Sequence, residues 1–146
     1  MTLRRRTREP LAELPLFADC TAAEVAAARR LLTLLSVDAG SVLMREGGFG
    51  TEVMIVADGQ ATVSRHTGGA DSVVATVGRG DVVGEMSVLD GARRSATVTA
   101  VTPMSVYVAS AAEFAGLLEA LPVVADRIAR TAAERRDTNR RTALAA

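Results

Sequence analysis

The middle of the chain, from Gly40 to Ser110, is a series of short β-forming segments separated by glycines, and no other feature constrains the fold as much. The segments are rich in Val, Ile, Thr and Met, and glycine permits the tight turns between them. We predict strands over residues 41–45, 52–57, 61–65, 72–77, 95–101 and 104–109. Short strands at near-regular spacing are typical of a closed or sandwiched antiparallel roll.

A helix is predicted before this β region. Thr21 and Glu24 form the pattern of a capping box, in which each side chain accepts a hydrogen bond from the other residue's amide. Apolar residues follow at helical spacing as far as Leu35, and a turn at residues 38–40 ends the segment. The preceding residues, 1–13, include four arginines and are interpreted as an irregular, solvated, basic lead-in.

Helix returns after the β region. A second capping box at Ser110 and Glu113 begins one helix. Pro122 breaks that run, and a second helix is predicted from Val123 to about Arg141. The apolar face of the last helix gives way to Arg135 and neighbouring arginines. The far end of this helix is therefore either solvated or presents its positive charge to another group.

These elements predict a single domain over residues 14–146 of the 146-residue chain. The fold class is α+β. It consists of an antiparallel, jelly-roll-like β-roll over about residues 40–110, flanked by an N-terminal helix and by C-terminal helices over about residues 111–141.

Composition excludes several classes of function. The 17 cationic and 17 anionic side chains cancel, so we expect no direct binding to nucleic acid. Cys20 and His66 are the only residues of their types, which rules out an internal disulfide and metal sites built on several Cys or His ligands. The sequence has no apolar run of about 20 residues and no secretory signal, so we expect a cytoplasmic protein without a membrane partner.

Residues 80–98 interrupt the strand rhythm and contain the candidate chemistry. Gly84 lets the backbone approach a ligand closely, and the amides that follow it at a helix start suit an anion. Arg94 has a planar fork of donors for the same anion. Glu85 would repel a phosphate, so it needs a hydroxyl or an arginine as its partner. Together these residues indicate a site for a compact ribose phosphate.

The same stretch carries a family resemblance. Residues 84–89 (Gly-Glu-Met-Ser-Val-Leu) and 94–98 (Arg-Ser-Ala-Thr-Val) resemble the phosphate-binding cassette of cyclic nucleotide-binding domains, of the catabolite activator and protein kinase A regulatory-subunit type. Pro-Leu-Phe at residues 15–17 and Met-Ile-Val at residues 54–56 resemble the family's N-terminal helix and early strands. The resemblance extends over about residues 14–141.

The resemblance implies a role for each cassette residue. Glu85 would accept a hydrogen bond from the ribose 2′-hydroxyl, and Arg94 would pair with the cyclic phosphate. The implied ligand-binding set is Val83, Gly84, Glu85, Met86, Ser87, Arg94, Ser95 and Ala96, with Val74 and Val77 in the apolar wall and Thr138 among the residues that would cover the base. Val83 and Arg93 depart from the family pattern, in which a larger apolar residue and a proline are usual.

We therefore expect a non-enzymatic sensor that uses no cofactor or metal, binds a cyclic purine mononucleotide, and repositions its C-terminal helix on binding. Cyclic AMP is the expected ligand and cyclic GMP the alternative. The C-terminal helix is a candidate homodimer interface, and the downstream protein partner is not indicated. Two alternatives remain open: a fragment of a catabolite-activator-type transcription regulator, although a helix-turn-helix has no room before Ala146, or a degenerate roll that acts as a protein-interaction module.

Overall fold

A computed structural model describes residues 3–5 and 10–145, with side chains described for residues 10–137. The strands are β1 (Leu3–Arg5), β2 (Thr33–Val37), β3 (Val42–Met44), β4 (Glu52–Asp58), β5 (Ala61–Thr67), β6 (Ala70–Val77), β7 (Val82–Val83), β8 (Thr97–Ala100) and β9 (Met104–Ser110). The helices are α1 (Ala22–Leu31), α2 (Glu85–Asp90), α3 (Ala111–Ala120) and α4 (Pro122–Ala145), with short 3-10 helices at Leu11–Glu13 and Pro15–Phe17.

The strands form two antiparallel sheets. One has the order β1-β2-β9-β4-β7 and the other the order β3-β8-β5-β6. The flanking helices lie at the ends of the roll in sequence, so the predicted fold class, an antiparallel β-roll flanked by an N-terminal helix and C-terminal helices, is confirmed.

Strand β4 explains how the layers are held together. Its side chains alternate between two cores: Val53 and Ile55 pack with the helices, while Met54 and Val56 pack between the sheets. A strand buried on both faces needs a continuous apolar run, which residues 53–57 provide. The five-stranded sheet is therefore the middle layer of the domain.

Both helix starts predicted from the capping boxes are confirmed. Thr21 Oγ1 accepts from the Glu24 amide at 3.1 Å, and the Glu24 carboxylate accepts from the Thr21 amide at 2.8 Å. The same reciprocal pair joins Ser110 and Glu113 at the start of α3.

The expected end of the first helix was wrong. The helix stops at Leu31, and Thr33–Val37 is strand β2, which pairs along its whole length with β9. Leu32 and Leu35 fit helical spacing, but Leu34 packs on the helix side of the sheet and Val37 between the sheets, as strand alternation requires. The β region therefore begins before Gly40.

For the described residues 3–5 and 10–13, the interpretation of residues 1–13 as an irregular, solvated lead-in was wrong. Leu3–Arg5 forms strand β1, which pairs with β2. Leu11 is completely buried in the helix-side core, next to the equally buried Leu14. Strand β1 and Leu11 are therefore part of the packed domain.

Helix α4 runs from the helix-side core towards helix α2. Its first half is anchored by Val124, Ile128 and Ala132, all buried. Burying a side chain the size of valine or isoleucine contributes about 1.5–3 kcal/mol. Arg127 adds hydrogen bonds to the carbonyl oxygens of Leu16 at 3.0 Å and Ala18 at 2.5 Å. The first half of α4 is thus fixed, and its second half is the part that reaches the site.

Candidate functional site

The candidate site is built where β7 ends and α2 begins. Gly84 joins the two elements with a φ of +87°, a left-handed conformation that side chains disfavour. A Cβ on Gly84 would lie 2.5 Å from Nη1 of Arg94 and 2.6 Å from Cε of Met44. Glycine is therefore required at residue 84 both by the backbone conformation and by the guanidinium packed against it.

Arg94 is held rigidly beneath α2. The side chain is 9% exposed. Its Nη1 donates to the Gly84 carbonyl at 2.9 Å and to Ser87 Oγ at 2.7 Å, and its Nη2 donates to the Glu52 carbonyl at 2.6 Å. A guanidinium has five N–H donors, so these contacts use three and leave two for another acceptor. Burial lowers the pKa of Arg94, and the carboxylates of Glu52 and Glu85 oppose this shift.

Glu85 is a buried carboxylate with one oxygen in use. The residue is 1% exposed. Its Oε1 accepts from Nη1 of Arg135 at 2.5 Å, whereas Oε2 is buried and accepts no hydrogen bond from any described residue. Burial raises the pKa of Glu85, and the guanidinium groups of Arg135 and Arg94 counteract part of this effect. An ionised carboxylate with an unsatisfied buried oxygen is costly unless a donor reaches it.

Two ion pairs connect α2 with the second half of α4. Arg135 bridges Glu85 and the Val82 carbonyl. The next residue, Arg136, donates from Nη2 to Asp90 Oδ1 at 2.6 Å and from Nε to Oδ2 at 3.1 Å. These two arginines of the basic helix end are therefore paired with carboxylates of α2 in the same chain.

These side chains surround a pocket of about 280 Å³. The predicted site residues that line it are Val74, Val77, Val83, Gly84, Glu85, Met86, Ser87, Arg94, Ser95 and Ala96. The side chain of Thr138 lies outside the described residues, and its contact with the base stays a prediction. The structure thus brings the rest of the sequence-predicted set to one place.

Sequence reasoning missed other pocket residues, including Met44, Val63, Arg65 and Arg135. Two of them had a usable signal. Arg65 follows Val63 by two residues in a strand, so it shares that residue's face. Arg135 lies three residues after the buried Ala132, in register with the buried stripe of α4.

Other kinds of site have little support in the part of the chain that the structure describes. No three His, Cys, Asp or Glu side chains lie close enough there to hold a metal ion. None of the helices described is both long and apolar enough to cross a membrane.

Comparison with known proteins identifies the family. The family model for the cyclic nucleotide-binding domain matches residues 34–120. The chain belongs to the cyclic nucleotide-binding domain family. The catabolite activator protein of Thermus thermophilus has a similar solved structure, with a TM-score of 0.77 and 30% sequence identity over 89% of this chain and 62% of that one. The predicted resemblance is confirmed.

Relatives of this cyclic nucleotide-binding domain occur in larger proteins of different kinds. A cyclic nucleotide-gated potassium channel of Rhizobium etli is 33% identical over 131 residues, covering 90% of this chain and 36% of the channel. The acetyltransferase Pat of Mycolicibacterium smegmatis is 30% identical over 125 residues, covering 86% of this chain and 37% of that enzyme. The chain therefore spans little more than a third of the length of these two relatives.

Proposed function

We propose that the chain is a sensor that binds a cyclic purine mononucleotide in the pocket under α2. One observation carries the proposal: Glu85 is buried with an unsatisfied Oε2, and it lines the same pocket as Arg94, which has two donors left over. A ribose hydroxyl would supply the donor that Glu85 lacks. A cyclic phosphate would accept from the two remaining N–H groups of Arg94.

The other predicted residues complete the binding site in this proposal. Backbone and side-chain groups of Met86, Ser87, Ser95 and Ala96 line the phosphate side. Val83 and Val77 are buried and form apolar wall for ribose and base, while Val74 is partly exposed at the pocket margin. The proposed role is binding, with no reaction catalysed by the domain itself. The activity that it controls is unassigned, because its relatives include a channel and an enzyme.

Binding would be transmitted through α4. Glu85 has two oxygens, and Arg135 uses only Oε1. A ligand hydroxyl on Oε2 would therefore add to the Arg135 contact rather than replace it, and it would stabilise the ionised carboxylate that Arg135 needs. Ligand binding is thus proposed to shift the population of α4 towards the arrangement docked on α2.

A calorimetric titration of the purified chain with cyclic AMP, cyclic GMP and 5′-AMP tests this function. We expect a cyclic nucleotide to bind and 5′-AMP not to bind. Arg94→Ala should weaken binding by about tenfold to a few hundredfold, because charged hydrogen bonds contribute about 1.5–3 kcal/mol each.

The matched control is Arg130→Ala, because Arg130 is an exposed arginine on α4 outside the pocket. This variant should bind like the wild type. Absence of heat with every cyclic nucleotide would refute the sensor, and wild-type affinity in Arg94→Ala would refute the assigned site.

A further inference from the structure

The strands contribute a nearly uniform apolar wall to the pocket. Within the described residues, seven of the eight strand residues that line it are apolar: Met44, Val63, Val74, Ala75, Val77, Val83 and Val98. The eighth is Arg65, on β5. A charged side chain in this wall suggests contact with a polar edge of the ligand.

The position of Arg65 on β5 places it in the strand wall of the pocket. Arg65 lies two residues beyond Val63 and therefore on the same face of β5, further towards the β5–β6 turn. The residue is half-buried, and its Nε is inaccessible to water. Val63 pairs with Ala75 on β6, and Arg65 pairs with Ser72 on the same strand. Arg65 is thus held at the wall, on the strand side of the pocket and on a different element from Arg94.

We propose that Arg65 reads the polar edge of the purine base and makes the site prefer guanine to adenine. This inference rests on the proposed function, in which Glu85 and Arg94 hold ribose and phosphate and leave the base for the apolar strand wall. Guanine presents two acceptors, O6 and N7, to a guanidinium, which has only donors. Adenine presents N7 beside an amino group that is itself a donor, so only one hydrogen bond can form.

Affinities of the purified chain for cyclic GMP, cyclic AMP and cyclic IMP test this proposal. A bidentate arginine contact discriminates between bases by about 5- to 150-fold, and we expect cyclic GMP to be preferred to cyclic AMP within that range. Cyclic IMP has O6 and N7 without the 2-amino group of guanine, so it should bind within about twofold of cyclic GMP.

Two variants assign the preference to Arg65. Arg65→Leu should lower the ratio of cyclic GMP to cyclic AMP affinity at least fivefold, because cyclic GMP loses two hydrogen bonds and cyclic AMP loses one. Arg65→Lys keeps the charge but loses the planar fork, and it should lower the ratio as well. If Arg65→Leu does not fold, the lysine variant decides. Arg130→Ala serves as the matched arginine control.

The outcomes separate this inference from the proposed function. A wild-type chain that binds no cyclic nucleotide refutes both. A wild type that binds but prefers cyclic AMP refutes only the role of Arg65. Equal loss of affinity for all ligands in Arg65→Leu also refutes it, since that result would place the guanidinium on the phosphate.

Discussion

Replacing Gly84 with alanine tests whether the start of helix α2 packs directly against Arg94. The substitution adds a single methyl group at a residue with a φ of +87°. That methyl would lie 2.5 Å from Arg94 Nη1, 2.6 Å from Met44 Cε and 2.9 Å from the Glu52 carbonyl oxygen. Because the methionine end is flexible and the carbonyl is not, we expect the guanidinium to be displaced.

Gly91 provides the matched control for the backbone contribution. It has a left-handed φ of +65° at the other end of α2, and a Cβ there would meet nothing within 4 Å. A left-handed conformation costs a residue with a Cβ about 1–2 kcal/mol, and this is the expected effect of Gly91→Ala. Gly84→Ala adds the loss of at least one charged hydrogen bond of Arg94, which brings its cost to about 2.5–5 kcal/mol.

Thermal denaturation and nucleotide titration measure the two consequences. For a chain of this size, 1 kcal/mol corresponds to about 2–4 °C in Tm. Gly91→Ala should lower Tm by about 2–8 °C and leave nucleotide affinity unchanged, whereas Gly84→Ala should lower Tm by about 5–20 °C and weaken binding at least tenfold. Equal Tm values in the two variants, or wild-type affinity in Gly84→Ala, would show that the contact with Arg94 is not maintained in solution.

Two further predictions concern the buried carboxylate. Because burial raises the pKa of Glu85, this group favours folding most at low pH, and its contribution is lost as pH rises through the raised pKa. Glu85→Gln has no carboxyl group to ionise, so the Tm of this variant minus the Tm of the wild type should increase between pH 4 and pH 8. A Tm difference that shrinks over this range would contradict the argument. Arg135→Ala leaves Glu85 without its cation and should destabilise the chain by about 1–3 kcal/mol at neutral pH, allowing for the partly exposed arginine. Arg136→Ala breaks the more exposed pair with Asp90 and is the control. Its free energy of unfolding, measured by chemical denaturation, should change less than that of Arg135→Ala, and equal changes would contradict the role given to burial.

The sequence predicted those features that depend on residues close together in the chain. Each capping box needs two side chains three residues apart, and both boxes formed. The strand that contains Val53 and Ile55 could be predicted because its apolar run is continuous. The candidate phosphate site was predicted because Gly84, Glu85 and Arg94 lie within eleven residues, where their chemistry and the family resemblance could be recognised together.

The features that the sequence did not predict depend on distant partners. The segment at Thr33–Val37 satisfies both helical and strand patterns, and its pairing with β9 decides between them. Nothing near Arg135 in the sequence indicates that its partner is Glu85, 50 residues away. The place of Arg65 in the pocket likewise depends on the antiparallel pairing that brings β5 beside β8 and the residues that precede it.

The shared carboxylate of Glu85 also sets a limit on how the proposed sensor can work. A ligand on one oxygen and Arg135 on the other are coupled because each contact favours the ionised form of the same carboxylate, and the coupling free energy is equal in both directions. Charge-assisted hydrogen bonds contribute about 1.5–3 kcal/mol, so this coupling changes the equilibrium of α4 by at most about 10- to 150-fold. A factor of this size converts a half-docked population of α4 into an almost completely docked one. It hardly changes a population of α4 that is already docked without ligand. The proposed sensor therefore requires the second half of α4 to be held only weakly in the absence of ligand. Among the residues of that half whose side chains are described, Arg135 and Arg136 are partly exposed where they pair with α2, whereas buried apolar side chains fix the first half.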